Sequence, residues 1–228
     1  MHVLREGGEY LGHRERLLWW CFASGGAVLV GLGLALSLGQ WLVMFAVPPT
    51  LVLVRLVVTP LQRVRKGRLG ERLVTNLLRQ LPDTYHLVND VVIPGSGGNI
   101  DHVVIGPCGV VVIETKRLAG KIRCDGDRWY VNGRLRGSIS AQANRGAAAL
   151  RKFLADRHPE IPSRFVRSIT VFTHPLCRLQ IHWARATVVR YSELLQVLLE
   201  MSHQRWIPSE LAQRLAETLA QSQHPLAS

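Results

Sequence analysis

Three charged residues stand in a run that otherwise reads as buried strand. In "NIDHVVIGPCGVVVIETK", residues 99–116, they are Asp101, Glu114 and Lys116. Charge is placed in such a run when it is paired or takes part in chemistry. The central "GPCG" reads as a tight turn, with glycine on either side of Pro107 and Cys108. A hairpin closing there pairs residues whose numbers sum to 215, which sets Asp101 opposite Glu114. Opposed residues share a sheet face with Cβ atoms about 5 Å apart, and Lys116, two residues on, joins that face.

Two bare carboxylates that close repel by roughly 3 kcal/mol at an effective dielectric near 20. Lys116, a shared proton or a divalent cation would offset this. Mg²⁺ commonly takes one or two carboxylates and keeps several waters, which suits the pair. An ordinary cross-strand ion pair near a sheet end would use the same three residues. Val103, Ile105, Val110 and Val112 share the face and are expected in the core. His102 faces the other way and is read as a structural contact.

The elements that must position this hairpin follow from pattern. Leu69, Leu73, Leu77 and Leu81, with Val74 and Leu78, predict a helix ended by Pro82-Asp83. Strands are expected near His86–Ile93, Ile100–Ile105 and Val110–Lys116, then a hairpin over Lys121–Asn132. Ser138 or Ser140 can cap a helix reaching Asp156. Phe165–Thr173 and Ala186–Arg190 read as strands, and helices near Ser192–Ser202 and Ser209–Gln221 close the chain. The expectation is a mixed α/β domain around one central sheet, over residues 69–228.

The first part of the chain reads differently. Leu17 to Leu38 carries no charge across 22 residues, roughly 33 Å of helix and enough to span a bilayer. A second apolar run from Trp41 to Thr59 holds Pro48-Pro49 and Arg55, and predicts a kinked second span, with a re-entrant or interfacial segment as the alternative. Residues 17–59 are therefore expected to form a transmembrane hairpin, after an N-terminal segment at 1–16. Arg63, Arg65, Lys66 and Arg68 make residues 60–68 a basic juxtamembrane linker. Basic residues flank both spans and none lies between them, so both ends are expected in the cytoplasm, at the inner membrane.

The whole chain has 28 Lys+Arg against 16 Asp+Glu, a formal charge of +12, which favours nucleic acid or anionic lipid as partner. Cys21, Cys108, Cys124 and Cys177 show no metal or disulfide spacing and are read as reduced. Nothing reads as a phosphate-cradling Walker loop.

"GERLVTNLLRQLP", "NIDHVVIGPCGVVVIETKRLAGKI" and "SISAQANRGAAALRKFL", in this order, resemble the nuclease-related domain (NERD) family over roughly Leu69–Thr173. That family is placed with the restriction-endonuclease-like, PD-(D/E)xK nucleases. The resemblance implies a mixed central sheet flanked by helices and a metal-dependent phosphodiesterase acting on DNA or RNA. It implies Asp101 and Glu114 as the acids for Mg²⁺ or Mn²⁺ and Lys116 as the catalytic lysine. Gln142 matches the family's helix glutamine, and Glu71 a recurrent acid near the metal. The motif's leading proline is replaced by Ile100. Arg145 is expected in solvent, and Trp129 and Tyr130 are expected to pack a hairpin on the sheet. Two other functions use the same features: a non-catalytic nucleic-acid-binding or scaffolding module at the membrane, and a membrane protein whose soluble domain assists assembly.

Overall fold

The computed structural model describes residues 2–5, 26, 40–126, 128–203 and 207–223. Met1–Gly7 with Leu69–Ser228 make one compact unit, and Gly8–Arg68 make a second. In chain order the strands are β1 (His2–Arg5), β2 (His86–Val92), β3 (Asn99–Gly106), β4 (Gly109–Lys116), β5 (Gly120–Asp125), β6 (Arg128–Val131), β7 (Arg134–Arg136), β8 (Val166–Phe172), β9 (Cys177–His182) and β10 (Thr187–Arg190). The helices are α1 (Gln40–Leu78), α2 (Ala141–Ala155), α3 (Leu194–Ser202) and α4 (Ser209–Gln221).

Two mixed sheets form where one was expected. The first runs β1-β2-β3-β4-β8-β10, with β2–β3–β4 antiparallel and the outer pairings parallel. The second runs β7-β6-β5-β9. Its hairpin β5–β6 was expected; β7 and β9 were not. β9 alternates half-buried Cys177, Leu179 and Ile181 with exposed Arg178, Gln180 and His182, a legible but short signal. β1 joins β2 in parallel through only four residues.

The central hairpin has the expected register, His102↔Ile113 through Gly106↔Gly109. Gly109 makes the turn possible: its φ is +91°, and a Cβ there would lie 2.7 Å from the carbonyl oxygen of Phe165. Val103, Ile105, Val110 and Val112 pack in one apolar cluster under α2 and α4, with Leu150, Leu154, Leu215 and Leu219. On the other face Val104, Val111 and Ile113 pack with Val74, Leu78, Leu194 and Leu198. Helices thus cover both faces, which accounts for the continuous apolar reading of β3 and β4.

The end of α1 differs from the expected leucine stripe. Its buried line is Gly70, Val74 and Leu78, continued by Leu81 just past its end, while Leu69 is exposed and Leu73 and Leu77 are only partly covered. A glycine has no side chain to register in a hydrophobic pattern, yet it marks where this helix approaches the sheet. The second sheet is held by Ile122, Cys124, Trp129 and Phe172, with the Trp129 and Phe172 rings 6.2 Å apart.

Of the two apolar runs, 17–38 lies outside the described residues apart from Gly26. The run from Trp41 to Thr59 is helical as the first part of α1, through Pro48 and Pro49, and residues 60–68 continue as helix. Leu51, Val52 and Leu56 are exposed on it. Among the described residues no helix is long and apolar enough to cross a membrane.

Candidate active site

Regular pairing of β3 with β4 runs from the turn to His102 and Ile113. One step further, the Asp101 side chain takes over: its Oδ2 accepts a hydrogen bond from the Thr115 backbone N–H at 2.7 Å. The β2–β3 register steps over the same level, from Asn89↔His102 to Val91↔Ile100, and Asp90 there has φ +52°. Aspartate tolerates that left-handed conformation better than most residues. Beyond the irregularity Val91 and Ile100 join the cluster of Val88 and Val103, an exchange of faces that simple alternation does not give.

Lys116 ties the site together. Its Nζ donates to Glu114 Oε1 at 2.6 Å and to Gln142 Oε1 at 3.1 Å. Gln142 stands in the first turn of α2, and Gly146 one turn later lets that helix lie close. A Cβ on Gly146 would meet Ile100 Cγ1 at 3.1 Å and Val112 Cγ1 at 3.4 Å. Gly70 does the same for α1, where a Cβ would meet Thr173 Oγ1 at 3.0 Å and Thr115 Cγ2 at 3.1 Å. The next residue, Glu71, comes near enough to Asp101 for its charge to oppose Asp101 ionisation.

Asp101 is 8% exposed and Glu114 3%. Burial, then the neighbouring Glu114 and Glu71 charges, hold the Asp101 carboxyl well above the usual range, against the Thr115 N–H and Lys116. Burial also raises Glu114, opposed by Lys116 and Arg145. Both directions describe excess negative charge in a place poorly reached by water.

Asp101, Glu114, Lys116 and Gln142 are therefore brought together, with Glu71 close by. His102 faces away: its Nδ1 lies 2.7 Å from Asn89 Oδ1 and its Nε2 3.3 Å from Thr115 Oγ1. Burial lowers its pKa to about 3, so it is a neutral structural bridge. Arg145 is exposed, as expected, yet its charge reaches Glu114. Thr170 was missed by sequence reading. It sits beside Glu114 in the parallel β4–β8 register, fully buried, and its Oγ1 has no hydrogen-bond partner among the described residues. Its signal was a hydroxyl enclosed by apolar neighbours in "ITVF", residues 169–172.

The donor set fits a divalent cation. Asp101 and Glu114 each engage one oxygen, while Oδ1 and Oε2 form no hydrogen bond among the described residues. Among those residues no group of three or more His, Cys, Asp or Glu is placed to hold a metal ion. A cation here would take two carboxylates and complete its shell with water, as Mg²⁺ commonly does.

Residues 66–173 match the family model of the nuclease-related domain (NERD). An uncharacterized protein of Bacillus anthracis is 41% identical over 61 residues, covering 25% of this chain and 29% of that protein. The structure of Pyrococcus furiosus SfsA in complex with Ca²⁺ aligns with a TM-score of 0.27 at 12% identity, over 62% of this chain and 53% of that one. The chain thus spans under a third of the curated relative and about half of the SfsA chain.

Proposed function

We propose, starting from the fact that residues 66–173 belong to the nuclease-related domain family, that this protein hydrolyses phosphodiester bonds of DNA or RNA with Mg²⁺ or Mn²⁺ held by Asp101 and Glu114. The observation that carries the reading is a pair of buried carboxylates that sense each other's charge at the end of β3–β4, one of them bonded to an ammonium that also holds the Gln142 amide. This is the constellation of the restriction-endonuclease-like nucleases that the sequence resembles.

When bound, a divalent cation supplies charge neutralisation at the phosphate and acidifies water. The chain's own residues do the rest. Lys116 is held by two hydrogen bonds, so its charge is fixed in place and can balance the extra negative charge of a phosphoryl transition state without reorganising. Gln142 gives its Oε1 to Lys116, which leaves its Nε2 donors for a phosphate oxygen or the attacking water. Glu71 adds negative charge beside Asp101 and strengthens the preference for a cation. Arg145 is placed to bias the site toward an anionic substrate.

The reading includes anchorage at the cytoplasmic face of the inner membrane by a helical hairpin over residues 17–59. It is supported by the uncharged Leu17–Leu38 run and by exposed Leu51, Val52 and Leu56. The test is cleavage of labelled single- and double-stranded DNA and RNA by the full chain in Mg²⁺, Mn²⁺ or EDTA, with Asp101→Ala and Lys116→Ala alongside. Metal-dependent cleavage lost in both variants is expected. Folded, metal-treated protein that cuts none of the four substrates would overturn it. Extraction of the full chain from membranes by alkaline carbonate would separately refute the anchor.

A further inference from the structure

The chain between Lys116 and Gln142 leaves the site and returns to it, and builds β5, β6 and β7 on the way. It holds six basic residues, Arg117, Lys121, Arg123, Arg128, Arg134 and Arg136, against Asp125 and Asp127. The inner face of the resulting sheet is apolar and packs on Phe172. Its outer face is different. Lys121 pairs with Arg178 and Arg123 with Gln180 across the parallel β5–β9 ladder, so these side chains share one exposed face. Along β5 the Cα atoms of Lys121 and Arg123 lie about 7 Å apart. The Arg123 guanidinium lies 4.4 Å from the ring centroid of Tyr130 on the next strand. No carboxylate among the described residues forms an ion pair with Lys121, Arg123 or Arg178. Asp125 stands at the far end, between its register partners Arg128 and His182.

At that far end Trp183 is 89% exposed and has φ +57°. A bulky side chain in the left-handed region, turned fully to water, is an outlier twice over. A large flat exposed ring just past the end of the strand that carries Arg178, on a sheet whose three outer-face cations have no ion-pair partner among the described residues, offers what an unstacked base and its phosphates require.

We propose that the outer face of the β7-β6-β5-β9 sheet is a platform for single-stranded nucleic acid. Lys121, Arg123 and Arg178 contact phosphates, and Trp183 stacks on a base. The platform begins four residues after Lys116 and is closed by the Lys116–Gln142 hydrogen bond, so a bound strand is delivered to the site from a surface rooted in it. What happens to the strand next rests on the nuclease reading; binding itself does not.

The test uses the full chain in EDTA, titrated with a short labelled single-stranded oligonucleotide over a range of salt. Lys121→Gln/Arg123→Gln/Arg178→Gln is expected to weaken binding at least tenfold and to flatten the salt slope by about two. Trp183→Ala is expected to weaken it about fivefold or more. Quenching of Trp183, taken as the difference between the wild type and Trp183→Phe, reports stacking without relying on the triple variant. Hydrolysis of a small bis-aryl phosphodiester should be unchanged in both variants. Wild-type affinity in folded variants, a preference for duplex, or displacement by anionic vesicles would overturn the platform. If the variants lose binding while the wild type cuts nothing in Mg²⁺ or Mn²⁺, the nuclease reading falls and the platform stands. If Asp101→Asn abolishes cleavage while the triple variant binds and cuts as wild type, the reverse holds.

Discussion

Lys116 Nζ donates to Gln142 Oε1 at 3.1 Å, joining the last residue of β4 to the first turn of α2 across 26 residues of chain. The same ammonium is 2.6 Å from Glu114. A single cation therefore sets the position of the helix amide, bonds one of two neighbouring acids and offsets the charge of both.

Substitutions in this group should separate by role. Asp101→Asn, Glu114→Gln and Lys116→Met are each expected to lower cleavage by at least about 10³-fold, and Gln142→Ala by about 10–100-fold. Glu71→Gln should mainly raise the Mg²⁺ concentration needed for half-maximal rate. Single-turnover kinetics with metal titration would check the order. Equal losses at Glu71 and Asp101 would place Glu71 in direct contact with the metal.

Asp101 is a buried acid opposed by burial, Glu114 and Glu71. Removing its charge should stabilise the metal-free protein. Asp101→Asn in EDTA is expected to melt higher than wild type at pH 7, by about 2–4 °C for each kcal/mol recovered. Saturating Mg²⁺ should raise the wild-type midpoint, with about 2.7 kcal/mol at a hundred times Kd, and leave the variant unmoved. Thermal melts with and without metal give both numbers.

His102 predicts an acid limit. Its pKa falls from 6.5 unfolded to about 3 folded. The stability it contributes is full above pH 6.5 and is lost as pH falls from there toward 3, at up to about 1.4 kcal/mol per pH unit. Asp101 has the opposite sign: its raised pKa gives stability that is present below its ordinary 3.8 and lost as pH rises. Urea unfolding between pH 7 and 4 should therefore show a steeper acid loss in Asp101→Asn than in wild type, and a shallower one in His102→Gln.

Gly109→Ala should be among the most damaging small changes in the chain. The position combines φ +91° with a carbonyl oxygen 2.7 Å from the new Cβ, and backbone at that distance cannot rotate aside. A loss of about 2–4 kcal/mol is expected, measured by chemical denaturation. Gly126→Ala, at φ +63° with nothing within 4 Å, should lose less.

Alternation and turn chemistry in the sequence were enough to set the register that sums to 215, the core face of Val103, Ile105, Val110 and Val112, and most element boundaries. These are local: period 2, period 3.6 and a glycine-bounded turn act through neighbours in the chain. The short alternation of Cys177–His182 and the exposure of Trp183 were not read, because six residues of half-buried strand gain meaning only when β5 is found beside them. Gly70 and Gly146 were silent for the opposite reason. Their function is the closeness of another element, Thr115 and Thr173 for one and Ile100 for the other. The face exchange at Asp90 and Asp101, the bond from Thr115 to Asp101, and the meeting of Lys116 with Gln142 all depend on contacts between residues distant in sequence. The sequence thus determined which residues carry charge and on which strand; only tertiary packing decided which of them meet, because burial and charge proximity are properties of the assembled sheet and its helices.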